Sequence, residues 1–273
     1  MTERVTPRQP GEWKSCISYL MYLRHVAAYE FARSMATGRR VLDLGSGAGY
    51  GSAVLADCAQ EVIALDVALD ALLTTKLKAT NVATVAGNGA RLPLRDKSFD
   101  LVVSFQVIEH IWDETRYLDE VRRVLTPDGL FVVSTPNKAL RLLPLQPPFN
   151  PYHVREYDYR AFKELLTRWF ADVTILGVCA TPEIMAIEHE RLKQNPLRVY
   201  MELVAQKTLP GPALQGFSSL LGTLRRRRSS ALKEAANNAI PSFSEDAYSF
   251  NDLWIDAHGV EKSLDLIGIC RKS

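Results

Sequence analysis

The sequence predicts an α/β fold built on a mostly parallel sheet of seven strands. Three observations carry this. Short apolar runs alternate with stretches of helical periodicity from residue 41 to residue 180. The first apolar run leads straight into alternating glycines, Gly45-Ser46-Gly47-Ala48-Gly49. The second ends on an acid, Asp66, at the carboxyl edge of the sheet where open α/β folds bind ligands.

Each element has its own signal. Residues 1–12 read as a polar arm. From Trp13 to Ala36, Ile17, Leu20, Met21, Ala28 and Phe31 share one side of a helix. Gly38 then ends that helix. Val41–Leu44 reads as a buried parallel strand. Helix follows at 50–58, strand at 61–66, helix at 69–79 and strand at 82–87. Phe99–Phe105 is the fourth strand. Tyr117, Leu118, Val121, Val124 and Leu125 mark the next helix, and Pro127-Asp128-Gly129 a turn before the fifth strand at 129–136. A Pro-rich loop covers 144–151. Asp158 is placed to cap a helix carrying Phe162, Leu165, Leu166 and Trp169. The sixth and seventh strands fall at 172–179 and 263–272.

The residues between those last two strands break the alternation, and a bare loop of that length is uncommon. We therefore expect four regions. They are an arm and helical cap (1–37), a core (38–181), a helical insertion or acceptor lid (182–262) and the last core strand (263–273).

Composition narrows the function classes. The chain has 273 residues, with 33 Lys+Arg against 31 Asp+Glu, a net charge of +2. Such a balance offers no whole-molecule attraction to nucleic acid, so no nucleic-acid partner is expected. Cys16, Cys58, Cys179 and Cys270 are scattered, which excludes a disulfide scaffold or zinc ribbon. No run approaches the roughly 18 apolar residues of a membrane span, and the polar start does not read as a secretory signal. The expected location is cytoplasmic. Arg225–Arg228 is either a solvated helix face or a contact for a phosphorylated or lipid-linked acceptor at a membrane surface.

The GxGxG spacing differs from the dinucleotide fingerprint, which wants a small residue where this chain has Tyr50. The tighter spacing suits a ligand without a pyrophosphate, such as adenosine linked to an amino acid. Asp66 can accept from two ribose hydroxyls, and Asn88-Gly89 can read an adenine edge. On the bland reading the glycines are only a tight turn, Asp66 a helix cap and Asn88-Gly89 a turn dipeptide.

VLDLGSGAGYGS, ALD, GNGARLPLRDKSFDLVVSFQVIEHI and DEVRRVLTPDGLFVVSTPN together resemble the successive motifs of class I S-adenosylmethionine-dependent methyltransferases. NPYHVREY at 150–157 is similar to the branch found in bacterial polysaccharide, glycolipid and natural-product clusters. The resemblance implies a Rossmann-like fold and S-adenosylmethionine as cofactor. It implies that Asp43, Gly45, Ser46, Gly47 and Gly49 hold the methionine part, and that Asp66 and Val67 bind the ribose. Asn88 and Gly89 would take the adenine, and Phe105 would pack against the methionine or the adenine side. Many family members carry Asp at position 88.

Transfer to a sugar-type hydroxyl needs a base or a metal, because its pKa lies far above 7. Glu109 and His110, just after the fourth strand, and His153, in the loop after the fifth, are the candidates. The alternative is that His110 starts a helix and His153 orders its loop. Gln106, Glu109, His110 and His153 also resemble the metal site of small-RNA 2′-O-methyltransferases, with Gln replacing the first Glu. That resemblance implies Mg²⁺ or another divalent ion, bound less tightly for the lost charge. Tyr19, Tyr22, Arg24 and His25 either cap the cofactor or form amphipathic surface. Trp112 and Trp254 are expected in the core or stacked on a sugar ring. The leading expectation is a sugar O-methyltransferase. The alternatives are a quinone, phenolic, lipid or amine acceptor, or a cofactor-binding subunit without catalysis.

Overall fold

The computed structural model describes residue 13 and residues 15–76, 81–142, 146–148, 150–193 and 244–272. Helix α1 (Cys16–Ala36) precedes the core, and Gly38 leaves it at φ 69°. The core then alternates β1 (Arg40–Leu44), α2 (Tyr50–Ala56), β2 (Glu61–Asp66), α3 (Leu69–Lys76) and β3 (Val82–Ala86). Next come β4 (Phe99–Phe105), α4 (Glu114–Val124), β5 (Leu125–Pro136), the short α5 (Lys138–Arg141) and α6 (Tyr159–Thr167). After β6 (Asp172–Ala180) follow α7 (Pro182–Lys193), β7 (Leu253–Asp256) and β8 (Asp265–Arg271).

The strands form one sheet in the order β3-β2-β1-β4-β5-β8-β6-β7. β1 to β5 pair in parallel, β8 runs antiparallel between β5 and β6, and β7 is antiparallel on β6. The direction of winding reverses between β1 and β4, where a crevice opens above the strand ends.

Alternation along the central strands builds two cores. Val41, Leu101 and Val103 face α1 and α2, while Leu42, Leu44 and Val102 face Tyr117 of α4 and Phe162 of α6. Burial on both faces explains why these strands read as continuous apolar runs. Asp158 caps α6 by accepting the Ala161 N–H at 2.9 Å.

The expected architecture holds, with eight strands rather than seven among the described residues. The extra strand, β7, is a four-residue edge strand within 182–262, and half of its Leu-Trp-Ile-Asp sequence carries no strand signal. The Pro127-Asp128-Gly129 turn is absorbed as a bulge inside β5, where Phe99 pairs with Leu125 but Leu101 with Leu130. Residues 77–79 of the expected third helix, most of the insertion and Arg225–Arg228 lie outside the described residues.

Candidate active site

Two adjoining cavities open at the carboxyl ends of the strands. The first, about 470 Å³, lies over β1, β2 and β4. The second, about 550 Å³, lies between α1, the 150–153 loop and α7. His25, Gln106 and His110 line both.

The first cavity is built mostly of backbone. After β1 the chain turns at Gly45 with φ 82°, and a Cβ there would stand 2.4 Å from the Val107 side chain. Gly47 has φ 52° and open space where its Cβ would be, so the turn presents bare backbone to the cavity. The Asp66 carboxylate accepts the Gly47 and Ala68 N–H groups, both at 2.9 Å, which ties the turn to the end of β2. Each of its oxygens keeps acceptor capacity for a diol. Ser46 Oγ is buried at the same turn without a hydrogen-bond partner. Asn88, after β3, uses Oδ1 to accept the Ala90 N–H at 2.9 Å. Tyr29 and Phe105 meet edge-to-face at 4.8 Å and close the cavity wall.

Gly45, Ser46, Gly47, Asp66, Val67, Asn88, Gly89 and Phe105 all line this cavity. Asp43 does not. It is fully buried beneath the turn, accepting the Tyr29 hydroxyl at 3.0 Å and the Ser52 hydroxyl at 2.6 Å. Burial pushes its pKa up to about 6 despite those two bonds. Asp43 therefore braces the turn from below. Gly49 opens α2 against Thr75, away from the lining.

Where the cavities meet, Gln106 takes φ 57°, a left-handed conformation unusual for its type. Its backbone N–H donates to the Ser134 carbonyl at 3.0 Å, which holds it there. The single helical turn Ile108–His110 follows. Glu109 points inward and is 1% exposed. Its Oε2 accepts from Thr135 Oγ1 at 3.2 Å, and Oε1 is buried without a partner. Burial pushes its pKa up to about 8, which favours the neutral carboxyl. The Glu109 carbonyl accepts the Val154 N–H at 2.8 Å and so brings the 150–155 loop alongside.

That loop delivers His153. The His110 and His153 rings stand edge-to-face at 4.8 Å. Nδ1 of His110 lies 3.0 Å from the Tyr152 carbonyl, and Nδ1 of His153 lies 2.8 Å from Glu156. Both partners only accept, so each neutral ring carries its lone pair on Nε2. Ligand atoms of Glu109, His110 and His153 all fall within 4.8 Å of one another.

Several residues depart from the sequence expectation. Arg24 and His25 are not surface. Arg24 is buried, donating from Nε to Asp265 at 2.7 Å and from Nη2 to its other oxygen, with Glu188 at 3.5 Å. Those carboxylates hold its pKa above the ordinary arginine value against the opposing effect of burial. His25 lines both cavities with Nδ1 2.8 Å from the Tyr50 hydroxyl. Trp112 and Trp254 are exposed rather than core, Trp112 on the rim of the first cavity. Tyr29, Arg141 and Arg191 line the cavities without any sequence signal; each is a single residue brought in by the topology.

Residues 42–133 match the family model of the methyltransferase domain. A probable S-adenosylmethionine-dependent methyltransferase of Mycolicibacterium smegmatis is 41% identical over 158 residues, 58% of this chain and 62% of that protein. The core has the Rossmann-like α/β fold of methyltransferases, and residues 42–133 are similar to their methyltransferase domain. A ubiquinone biosynthesis O-methyltransferase of Cereibacter sphaeroides is 33% identical over 135 residues, 44% of this chain and 52% of its own length. The chain thus spans about three fifths or less of these relatives. A methyltransferase of Thermotoga maritima shares the fold, with a TM-score of 0.56, 11% identity and 94% of each chain covered.

The first cavity fits S-adenosylmethionine on its own chemistry. The bare backbone at Gly47 leaves room, Asp66 offers a diol acceptor, and the orphaned Ser46 hydroxyl awaits a partner.

Proposed function

We propose that the protein is an S-adenosylmethionine-dependent O-methyltransferase acting on a sugar hydroxyl of a glycan, glycolipid or glycosylated metabolite. The observation that carries this reading is the wall of the second cavity. Charged and amide side chains (Arg24, Arg141, Asn150, Arg191, Asp265) alternate there with short apolar ones (Met21, Pro136, Pro151). A sugar has the matching character, a hydroxylated edge and apolar C–H faces. A flat apolar ring would leave the Nε groups of Arg141 and Arg191 without partners.

The bound cofactor supplies an electrophilic methyl group. The chain must align the acceptor oxygen and take its proton. His110 stands where the two cavities join, and its lone pair on Nε2 can accept that proton. The Tyr152 carbonyl orients the ring, as the partner of a catalytic imidazole must. Incubating the protein with S-adenosylmethionine and a panel of glycosides, then reading methylated product by mass, tests the reading. Methylation of phenols or quinols in preference to every glycoside would overturn it.

A second reading is favoured by the Glu109, His110 and His153 cluster and by the ubiquinone-pathway relative. In it the acceptor is a quinol or phenol, and a divalent ion such as Mg²⁺ is held by those three residues with Gln106 beside them. The donor set fits: two imidazoles fixed by hydrogen bonds at Nδ1 and a carboxyl oxygen with no other partner. EDTA would then abolish activity, with Mg²⁺ or Mn²⁺ restoring it. An unaffected rate leaves His110 as a base acting alone.

A further inference from the structure

Two guanidinium groups in the second cavity are underused. Arg141, at the end of α5, has a side chain only 11% exposed. Its nearest carboxylate oxygen, Glu156 Oε1, is 3.7 Å away and already bonded by His153 at 2.8 Å. Its Nε is buried without a partner. Arg191, on α7, bonds Glu188 through Nη2, but Glu188 is shared with Arg24, and the Arg191 Nε also has no partner. Burial lowers the Arg191 pKa; Glu188 opposes that, and the like charges of Arg141 and Arg24 add to it. By contrast, Arg24 is fully matched by its fork onto Asp265.

Withdrawing a guanidinium from water without hydrogen bonds is costly, and its planar fork is shaped for carboxylate or phosphate oxygens. Both cations line the same cavity as His110. We propose that Arg141 and Arg191 form an anion subsite, so that the hydroxyl-bearing acceptor carries a carboxylate or a phosphate. This rests on the sugar reading above and names the acceptor's charge class. The cavity then divides its work. His110 meets the hydroxyl to be methylated, and the two arginines grip the anionic group and set which hydroxyl is presented.

The test uses the protein saturated with S-adenosylhomocysteine and three probes: methyl α-glucoside, glucuronate and glucose 6-phosphate. Calorimetry is expected to show one charged probe binding at least about tenfold tighter than the uncharged one. Glucuronate winning identifies a carboxylate, and glucose 6-phosphate a phosphate. Arg141→Gln and Arg191→Gln should each erase the preference while leaving cofactor affinity unchanged. Should either variant fail to fold, the wild-type salt dependence decides. Charged-probe affinity must then fall with added NaCl while that of the glucoside stays constant. Equal binding of all three, or failure of both charged probes to bind, overturns the subsite. Methyl transfer to glycosides without charge preference would remove the subsite and keep the sugar reading. An arginine-dependent anion preference without transfer to any glycoside would do the reverse.

Discussion

The two cavities are neighbours, yet they are built on opposite principles. The first is made mostly from short segments, the ends of β1, β2, β3 and β4 and the turns after them, and its polar groups are largely backbone held by one carboxylate, Asp66. The second is made from side chains of α1, α5, α7, β8 and the 150–153 loop, held by ion pairs across long sequence separations. Arg24 and Asp265 are 241 residues apart. A backbone cradle tolerates changes in its surroundings but few at its glycines. An ion-paired cavity can be retuned one side chain at a time, at the risk of stranding a charge.

The largest expected effect tests the second half of that contrast. Arg24→Met should destabilise the protein by about 3–5 kcal/mol, because it leaves Asp265 and Glu188 buried with a cation removed. Denaturant melts would measure it, and a loss below 1 kcal/mol would mean that the pair is not desolvated. Next, His110→Ala at the seam should lower turnover at least ~100-fold with cofactor affinity nearly intact. Near-normal turnover would make the histidine pair structural. In the backbone-built cavity, Asp66→Ala should weaken S-adenosylmethionine binding by roughly 1.5–3 kcal/mol, more than tenfold. Unchanged affinity by calorimetry would remove the diol assignment.

The smallest effect is a pH dependence shared by both cavities. Burial chiefly lowers the His25 pKa to about 4, against about 6.5 for the unfolded chain. The native state therefore binds fewer protons than the unfolded state in that window. Stability contributed by neutral His25 is present above pH 6.5 and is lost as pH falls toward 4, by roughly 1 kcal/mol between pH 6.5 and 5.5. His25→Gln should flatten this acid limb in melts recorded from pH 7 to 4.5. An unchanged slope would show that the imidazole reaches water.

The same contrast explains what the sequence revealed. Gly45, Gly47, Asp66 and Asn88 lie within local strand-turn segments, so spacing alone brought them together. Asp43 belongs to the same motif, but only coordinates could show that Tyr29 and Ser52 occupy both its oxygens. Neither reading of Arg24 named its ion pair, because Asp265 lies 241 residues away in the sequence. Arg141 and Arg191 were invisible for a similar reason, since lone arginines on short helices look like solvated ones. The β7 strand escaped because its four residues are too few for a strand period to show.

Strand β8 has a consequence for how the molecule is made. It separates β5 from β6, although it is synthesised after both. Until residues 265–271 leave the ribosome, the inner edges of those two strands have no partner, and Arg24 waits in the nascent chain for Asp265. The insertion of β8 between β5 and β6 thus follows the making of both, and its pairing with β5 joins strands far apart in sequence, the kind of non-local pairing that folds slowly. The backbone-built cavity can assemble before β8 is made, whereas the acceptor cavity must wait for β8 to supply Asp265. A chaperone that shields strand edges would matter most in the interval between the two.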